Sequence, residues 1–347
     1  MRIKSLNLKN FKRFTDLTLT DIPESAKLVL LIGSNGAGKS SVFDAFDWLS
    51  KGITKHHYSA GYLSIYYPKF KDVDPSALVQ FHNNINNIEK VAGSIRQGRE
   101  LVERFLGRSS IRIVPHITNN ANTSQVSTDG DSPFSYIDND TRFINDVFLF
   151  IQQINTALRE PVFKGLQVDV LQIFRNFIEP LNTSLLKIFG ADEKTTIQIA
   201  EFEDATTNES AKLIFRKGES KINYDLLSHG EKQVVILLLN FIVRKEFYEN
   251  AIIFIDEMDN HLNTTLQYAL LEEIVAKWIP ESAQLWTASH ALGFIDYARN
   301  SELAAIIDFN LLNFDQPQTL YPQPKDGVEV YEIAIPKATI ASILKGY

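Results

Sequence analysis

The chain is 347 residues long, 44% hydrophobic and carries a net charge of −7, with a pI of about 5.6; it can bury one large core or two modest ones. The absence of cysteine excludes disulfides, thiolate chemistry and cysteine-ligated zinc, and fits a cytoplasmic protein. The acidic balance argues against a surface coated for nucleic acid, although a local basic groove is compatible with it.

The N-terminus alternates polar and apolar residues without a long apolar run, so no signal peptide is expected. No stretch approaches the roughly 20 apolar residues of a membrane span, so no membrane partner is expected. Val234 to Val243 is the densest run, and Asn240 interrupts it. Ile3, Leu6 and Leu8, then Leu17 and Leu19, predict two strands joined through Asn10-Phe11-Lys12-Arg13-Phe14. Leu28 to Ile32 predicts a buried strand. Gly33-Ser34-Asn35-Gly36-Ala37-Gly38-Lys39-Ser40 follows it directly and reads G-x-x-x-x-G-K-[ST]. Such a loop wraps nucleotide phosphates with backbone N–H groups and closes on a helix N-terminus. Lys39 is expected to neutralise β/γ-phosphate charge during turnover, Ser40 to place its hydroxyl on Mg²⁺, and Ser41 to complete the nucleotide contacts. A glycine-rich turn that merely caps a helix is the plain alternative. The helix predicted over Ser40 to Leu49, with Val42, Phe43, Phe46 and Leu49 on one face, favours the phosphate loop.

Helical periodicity follows over Ala77 to Leu106, Phe143 to Leu158 and Val168 to Phe189. Asn119 to Pro133 is polar and predicts an exposed loop, and no heptad seam persists long enough for a coiled coil. Ile197 to Phe202 and Ala211 to Phe215 predict a hairpin pair, with Ile222 to Tyr224 after it. Helix (Glu231 to Phe247), strand (Ile252 to Ile255), helix (Thr264 to Trp278) and strand (Gln284 to Thr287) then alternate as in a parallel α/β layer. Four apolar residues deliver Asp256-Glu257 to the carboxyl edge of that sheet, where α/β sites lie. Asp256 is expected to hold Mg²⁺ and Glu257 to polarise the attacking water; an acidic pair after a strand can also be only a helix N-cap. Ser228, with Glu231 three residues on, fits a capping box.

With the phosphate loop, Leu227-Ser228-His229-Gly230-Glu231, Ile252 to Glu257 and Ser289-His290 in this order, the sequence resembles the ABC-type ATPases of the SMC, RecF and overcoming-lysogenization (OLD) group. The resemblance implies a P-loop NTPase fold of class α/β, an ATPase head split into two lobes. These are residues 1–51 with the phosphate loop and 196–347 with the signature, acidic pair and switch histidine, around a mostly helical insertion at 52–195. In that group a Leu-Ser-Gly-Gly-Gln/Glu signature of one protomer caps the γ-phosphate bound by the other, which implies an ATP-sandwich dimer or higher oligomer of this chain. Ser228 and Gly230 would supply those contacts, and His229 departs from the pattern at the first glycine. Asp259 matches the loop that crosses the dimer interface, and His290 the histidine that senses the γ-phosphate. The group's Q-loop glutamine has only Gln80 and Gln97 as weak candidates.

Ser40 and Ser228 are too close in sequence for the long arms of true SMC proteins. Leu6-Asn7-Leu8-Lys9-Asn10-Phe11-Lys12-Arg13-Phe14 is similar to the opening of RecF- and OLD-like heads. Ile255-Asp256-Glu257-Met258-Asp259-Asn260-His261-Leu262-Asn263 and Gln284 to His290 look like ATPases of bacterial phage-defence loci. Arg108-Ser109-Ser110-Ile111-Arg112 is similar to an element of the same group, so Arg108 or Arg112 would face phosphate or a partner, against the plain reading of two solvated arginines. In those relatives a TOPRIM-like nuclease follows the ATPase or is encoded beside it. After Leu311-Leu312-Asn313-Phe314-Asp315 no acidic cluster for a two-metal nuclease is seen, so a separate effector is expected, as in PARIS-type systems. A RecF-like clamp is the alternative, with Lys4, Lys9, Lys12, Arg13, Arg96, Arg99 and Arg104 as a DNA-binding stripe or as plain solvated charges. A transporter subunit would need a membrane partner, and the RecF-like opening speaks against it. His56 and His57 have no motif context.

Overall fold

The computed structural model describes residues 1–50, 68–83, 85–108, 140–190, 192, 194–203 and 212–325. The chain opens as expected, with β1 (Ile3–Phe11) antiparallel to β2 (Phe14–Leu19). Their alternation turns Ile3, Leu6, Leu8, Leu17 and Leu19 inward. Strand β3 (Leu28–Ile32) is buried along its whole length, and α1 (Lys39–Ser50) starts where the phosphate loop ends.

The helix expected over Ala77 to Leu106 does not form. The chain instead makes β4 (Ser76–Phe81), β5 (Ile88–Val91), β6 (Ser94–Gln97), a 3₁₀ turn (Arg99–Arg104) and β7 (Phe105–Arg108). Ala77, Val79 and Phe81 are buried with a period of two, which outweighs the looser spacing read as helical. Ala92-Gly93, both at positive φ, close the β5–β6 hairpin, and a helix cannot run through such a pair. The Asn119 to Pro133 loop, Arg112, His56 and His57 lie outside the described residues.

The two later helical readings hold. Helix α2 (Asp140–Phe163) is followed by α3 (Val170–Ile173), a π turn (Phe174–Ile178) and α4 (Glu179–Phe189). Then come β8 (Gln198–Glu203), β9 (Lys212–Lys217), β10 (Ser220–Asn223) and α5 (His229–Val243). Strand β11 (Ile252–Asp256), α6 (Thr264–Glu273) and β12 (Gln284–Ala288) stand where the alternation predicts them. Helix α7 (Leu292–Asn300), β13 (Ala304–Asp308) and β14 (Pro317–Leu320) complete the described chain.

Among the described residues three sheets result: the parallel sheet β13-β3-β12-β11-β7, the mainly antiparallel sheet β14-β2-β1-β4-β5-β6, in which β14 runs parallel to β2, and the small sheet β10-β9-β8. The parallel sheet is covered on both faces, so its strands are continuously apolar. Leu30, Ile253, Ile255 and Leu285 face α5, α6 and α7. Val29, Leu31, Phe254 and Trp286 face α1 and the antiparallel sheet. Phe46 of α1 meets Trp286 edge-on, with ring centroids 5.1 Å apart. Because β7 pairs with β11 and β13 with β3, residues expected in the insertion, as well as the late chain, complete the sheet that carries the phosphate loop. Among the described residues no helix is long and apolar enough to cross a membrane.

Candidate functional site

The phosphate loop leaves the carboxyl end of β3 and is fixed from three sides. The Ser34 amide donates to Asn310 Oδ1 at 3.0 Å, just beyond β13. Arg13 Nη1 donates to the Gly36 carbonyl at 2.8 Å, and its guanidinium lies over the Phe314 ring, 5.9 Å from the centroid. Lys39 Nζ reaches the carbonyls of Gly33 (2.7 Å) and Ser34 (3.1 Å), so its ammonium sits over the loop. Burial lowers the Lys39 pKa, and Asp256, Glu257 and Asp259 act against that shift. Asn35, Gly36 and Ser40 are exposed to an incoming nucleotide, and the Ser41 amide donates to the Gly38 carbonyl.

Gly38 has φ +96°, and a Cβ there would lie 2.8 Å from Phe14 Cζ and 3.2 Å from Phe314 Cε1. Gly38→Ala is therefore expected to cost about 1–3 kcal/mol of stability. It is also expected to weaken ATP binding at least about tenfold by displacing the loop. Thermal melting and nucleotide titration read the two effects; a variant with wild-type values in both would show that the loop tolerates the shift.

Across the sheet edge, Ser40 Oγ donates to Asp256 Oδ2 at 2.8 Å. Burial raises the Asp256 carboxyl pKa to about 6, with the Glu257 and Asp44 charges adding to the rise and the Ser40 hydrogen bond and Lys39 opposing it. A desolvated carboxylate and a hydroxyl in contact at a phosphate loop are the hard oxygen donors that Mg²⁺ takes. Among the described residues no group of three or more His, Cys, Asp or Glu side chains that could hold a metal exists. Glu257 follows with φ +47°, its amide held by the Ala288 carbonyl at 3.1 Å. This strained backbone turns the residue out of the strand direction at the end of β11. Asn260 Nδ2 donates to Glu257 Oε2 at 3.4 Å.

His290 is exposed immediately beyond β12. Its neighbour Ser289 is buried, donates its amide to the Leu31 carbonyl (3.0 Å) and accepts from the Ala291 amide (2.9 Å), so the turn is anchored to β3. Asp259 is itself buried; burial raises its carboxyl pKa, while the hydrogen bond with Ser289 pulls the other way.

Ser228 caps α5 in a full capping box: its Oγ accepts from the Glu231 amide (3.3 Å), and Glu231 Oε2 accepts from the Ser228 amide (2.9 Å). Lys217, at the end of β9, reaches Glu231 Oε1 at 3.1 Å. Both plain and functional readings of Ser228 are thus compatible, since a capped helix N-terminus is an anion site. A Cβ on Gly230 would lie 3.0 Å from the His261 carbonyl. A close backbone approach within the chain is therefore at Gly230, against the segment after the acidic pair. His229 is exposed with its ring 5.4 Å from that of His261.

Other candidates lie elsewhere. Gln80 is on β4 and accepts from Ser5 Oγ, and Gln97 is on β6, the edge strand of the other large sheet. Arg108 ends β7 level with Ile255 and is 4% exposed, neither solvated nor turned toward solvent. Burial lowers its pKa, with Asp146 opposing; Asp146 is itself held by Arg244 and Asn240. Of the cationic stripe, Lys12 pairs with Asp44, Lys9 lies 3.8 Å from Asp16, Arg13 serves the loop, and Arg104 donates to the Glu249 carbonyl. Sequence reasoning missed Asn310 and the roles of Arg13, Phe14 and Phe314. The only signal for the late residues is the run Leu311 to Asp315 after an apolar strand.

Comparison with known proteins gives three findings. A family described as "AAA domain, putative AbiEii toxin, Type IV TA system" matches residues 28–296. A search of the curated proteins finds no match. Among solved structures, the chain is similar to an Smc head bound to the C-winged helix domain of ScpA, at 14% identity over 94% of this chain and 98% of that one, with a TM-score of 0.56. It is also similar to an Smc head with an extended coiled coil bound to the C-terminal domain of ScpA, from Pyrococcus furiosus, at 12% identity over 99% of each chain and a TM-score of 0.50. These likenesses establish the α/β P-loop ATPase fold.

Proposed function

The chain belongs to the AAA-domain family that matches residues 28–296 and is an ATPase; we propose that it works as an ATP-operated switch that clamps a second copy of itself and controls a separate effector. In this reading Gly33 to Ser41 hold the triphosphate, Ser40 and Asp256 hold Mg²⁺, Glu257 polarises the attacking water and His290 senses the γ-phosphate. Ser228 and Gly230 cap the nucleotide of the partner copy, with Asp259 between them. One observation carries the clamp. Ser228 and His229 are exposed at the head of α5, and Gly230 packs against the chain's own His261–Leu262 segment, with the His229 ring beside that of His261. This exposed helix head, beside the segment that follows the acidic pair, is the surface a second copy's nucleotide would meet.

The head then comprises residues 1–51 and 196–347 with 52–195 inserted between them. The helical part of that insertion is α2 to α4, since the strands from 76 to 108 serve the head's sheets. The family description names a toxin–antitoxin system. A cytoplasmic role in bacterial anti-phage defence, acting on a separately encoded effector such as a TOPRIM-type nuclease, fits it. The test is capture of partners on tagged Glu257→Gln protein from its native host, with and without ATP. A stoichiometric nuclease supports the switch; nucleic acid alone, with affinity falling steeply with salt, would replace it with a RecF-like DNA clamp.

A further inference from the structure

Two leucines beside the nucleotide motifs are used by none of them. Leu311 is 97% exposed and Leu226 is 77% exposed. Leu311 also has φ +63°, a left-handed backbone that a bulky residue adopts only under strain. Its neighbour Asn310 accepts from the Ser34 amide, and the Phe314 ring lies 3.2 Å from where a Cβ on Gly38 would stand. The segment from Asn310 to Phe314 thus grips the phosphate loop at both ends, with the Leu311 side chain in solvent between the two grips. Leu226 ends the 3₁₀ turn Tyr224–Leu226. Its neighbours Tyr224 and Leu227 are buried, while Leu226 itself is turned to solvent two residues before Ser228.

We propose that these two leucines form an apolar contact at the rim of the clamp, Leu311 of one copy packing on Leu226 of the second and the reverse. The contact rests on the clamp reading above and names where the two copies touch outside the nucleotide. Topology selects the pair. The phosphate loop, the acidic pair and His290 all leave the carboxyl edge of the parallel sheet, and Asn310-Leu311 leaves the same edge after β13. Phe247 and Leu303, also exposed, precede β11 and β13 and so lie toward the opposite edge. Exposed Phe70 is tied to Asn10 at the end of β1, in the other large sheet. When a phosphate is shared between Ser228 of one copy and the phosphate loop of the other, Leu226 is two residues from that junction on one side. On the other side Leu311 adjoins Asn310, which holds the loop. A two-fold axis repeats the contact with the copies exchanged, as an isologous interface requires. A single exposed leucine needs no explanation, whereas a strained one at one half of a composite site, with a second at the other half, does. The nearest charged residues in sequence, Asp225 and Asp308, are acidic, which disfavours nucleic acid as the occupant. Covering Leu311 also braces the segment that grips the phosphate loop, so association and ATP affinity strengthen each other by linkage.

The experiment is sedimentation of the full-chain Glu257→Gln protein at saturating ATP over a concentration series, with and without a second substitution. Leu311→Asn removes the apolar side chain and suits the left-handed backbone. It is expected to melt no lower than its parent and yet to associate at least about tenfold more weakly. Leu311→Glu and Leu226→Lys, each added to Glu257→Gln, set an unpaired charge against a leucine in both contacts of the dimer, and each is expected to weaken association at least as much. Mixing these two proteins is expected to restore a heterodimer, because one leucine pair stays intact and the other becomes a glutamate facing a lysine. Leu311→Asn protein that associates as tightly as its parent overturns the contact and leaves the clamp standing, as do charge variants that fail to recover on mixing. Glu257→Gln protein that does not associate with ATP removes the clamp, and this contact with it.

Discussion

Glu257→Gln is expected to lower ATP turnover by about 10²–10⁴-fold, the usual contribution of a positioned general base, while ATP still binds. The geometry separates the two effects. In the proposed site phosphate binding rests on Lys39, the loop amides and Ser40, and the Glu257 carboxylate acts on these only through its charge on Lys39. The residue's position is set by its backbone, with φ +47° and an amide held by the Ala288 carbonyl, so an amide side chain of the same size keeps its place. Asn260, whose side chain donates to Glu257 Oε2 at 3.4 Å, can donate equally to a glutamine oxygen. With hydrolysis blocked, the ATP-bound form should accumulate as a dimer, seen by sedimentation at saturating ATP, whereas Lys39→Ala should bind no nucleotide. Wild-type turnover in Glu257→Gln would remove Glu257 from the chemistry. A variant that binds ATP and shows no added association would sink the clamp and leave the ATPase intact.

What the sequence revealed and what it hid follow from how each signal is encoded. The phosphate loop, β3 and β11 are legible because local constraints write them: glycine where a loop must turn, four or five consecutive apolar residues where a strand is covered on both faces. The capping box at Ser228 is equally local, closed by a residue three positions away. By contrast, Asn310 reaches Ser34 across 276 positions of chain, and Phe314 packs on Phe14 with ring centroids 5.7 Å apart. Nothing near either residue announces the contact. The strands over 77–106 are hidden for a different reason. Leu78, Val79 and Phe81 satisfy a helical spacing loosely, and only the hairpin at Ala92-Gly93 and pairing with β1 decide for strands. The burial of Arg108 is not announced locally, because burying an arginine is costly, and Asp146, the charge that most opposes its lowered pKa, comes from a helix 38 positions later.

Asp256→Asn is expected to stabilise the nucleotide-free protein while removing its Mg²⁺-dependent activity. In the fold the Asp256 carboxyl titrates at about 6, against 3.8 as its ordinary value, chiefly because it is buried. A carboxyl raised in this way favours the folded state most when neutral, below its unfolded pKa, and that contribution is lost as pH rises through about 6. At pH 8 the nucleotide-free protein therefore carries a desolvated charge at a cost of about 3 kcal/mol. Asparagine has no charge to bury, and its oxygen can still accept from Ser40 Oγ. The variant should melt a few degrees above wild type at pH 8, with the gap closing toward pH 4. Added Mg²⁺ and ATP should reverse the order, because ligand binding stabilises only the protein that can hold the complex. Loss of the metal carboxylate should lower hydrolysis at least about a hundredfold, several kcal/mol of transition-state stabilisation. Mg²⁺ binding to the nucleotide-free wild type should weaken as pH drops below about 6, because the ion must then displace the carboxyl's proton. A variant less stable than wild type at pH 8, or a wild type whose Mg²⁺ binding is flat across that range, would mean that Asp256 is held by contacts rather than tuned as a ligand.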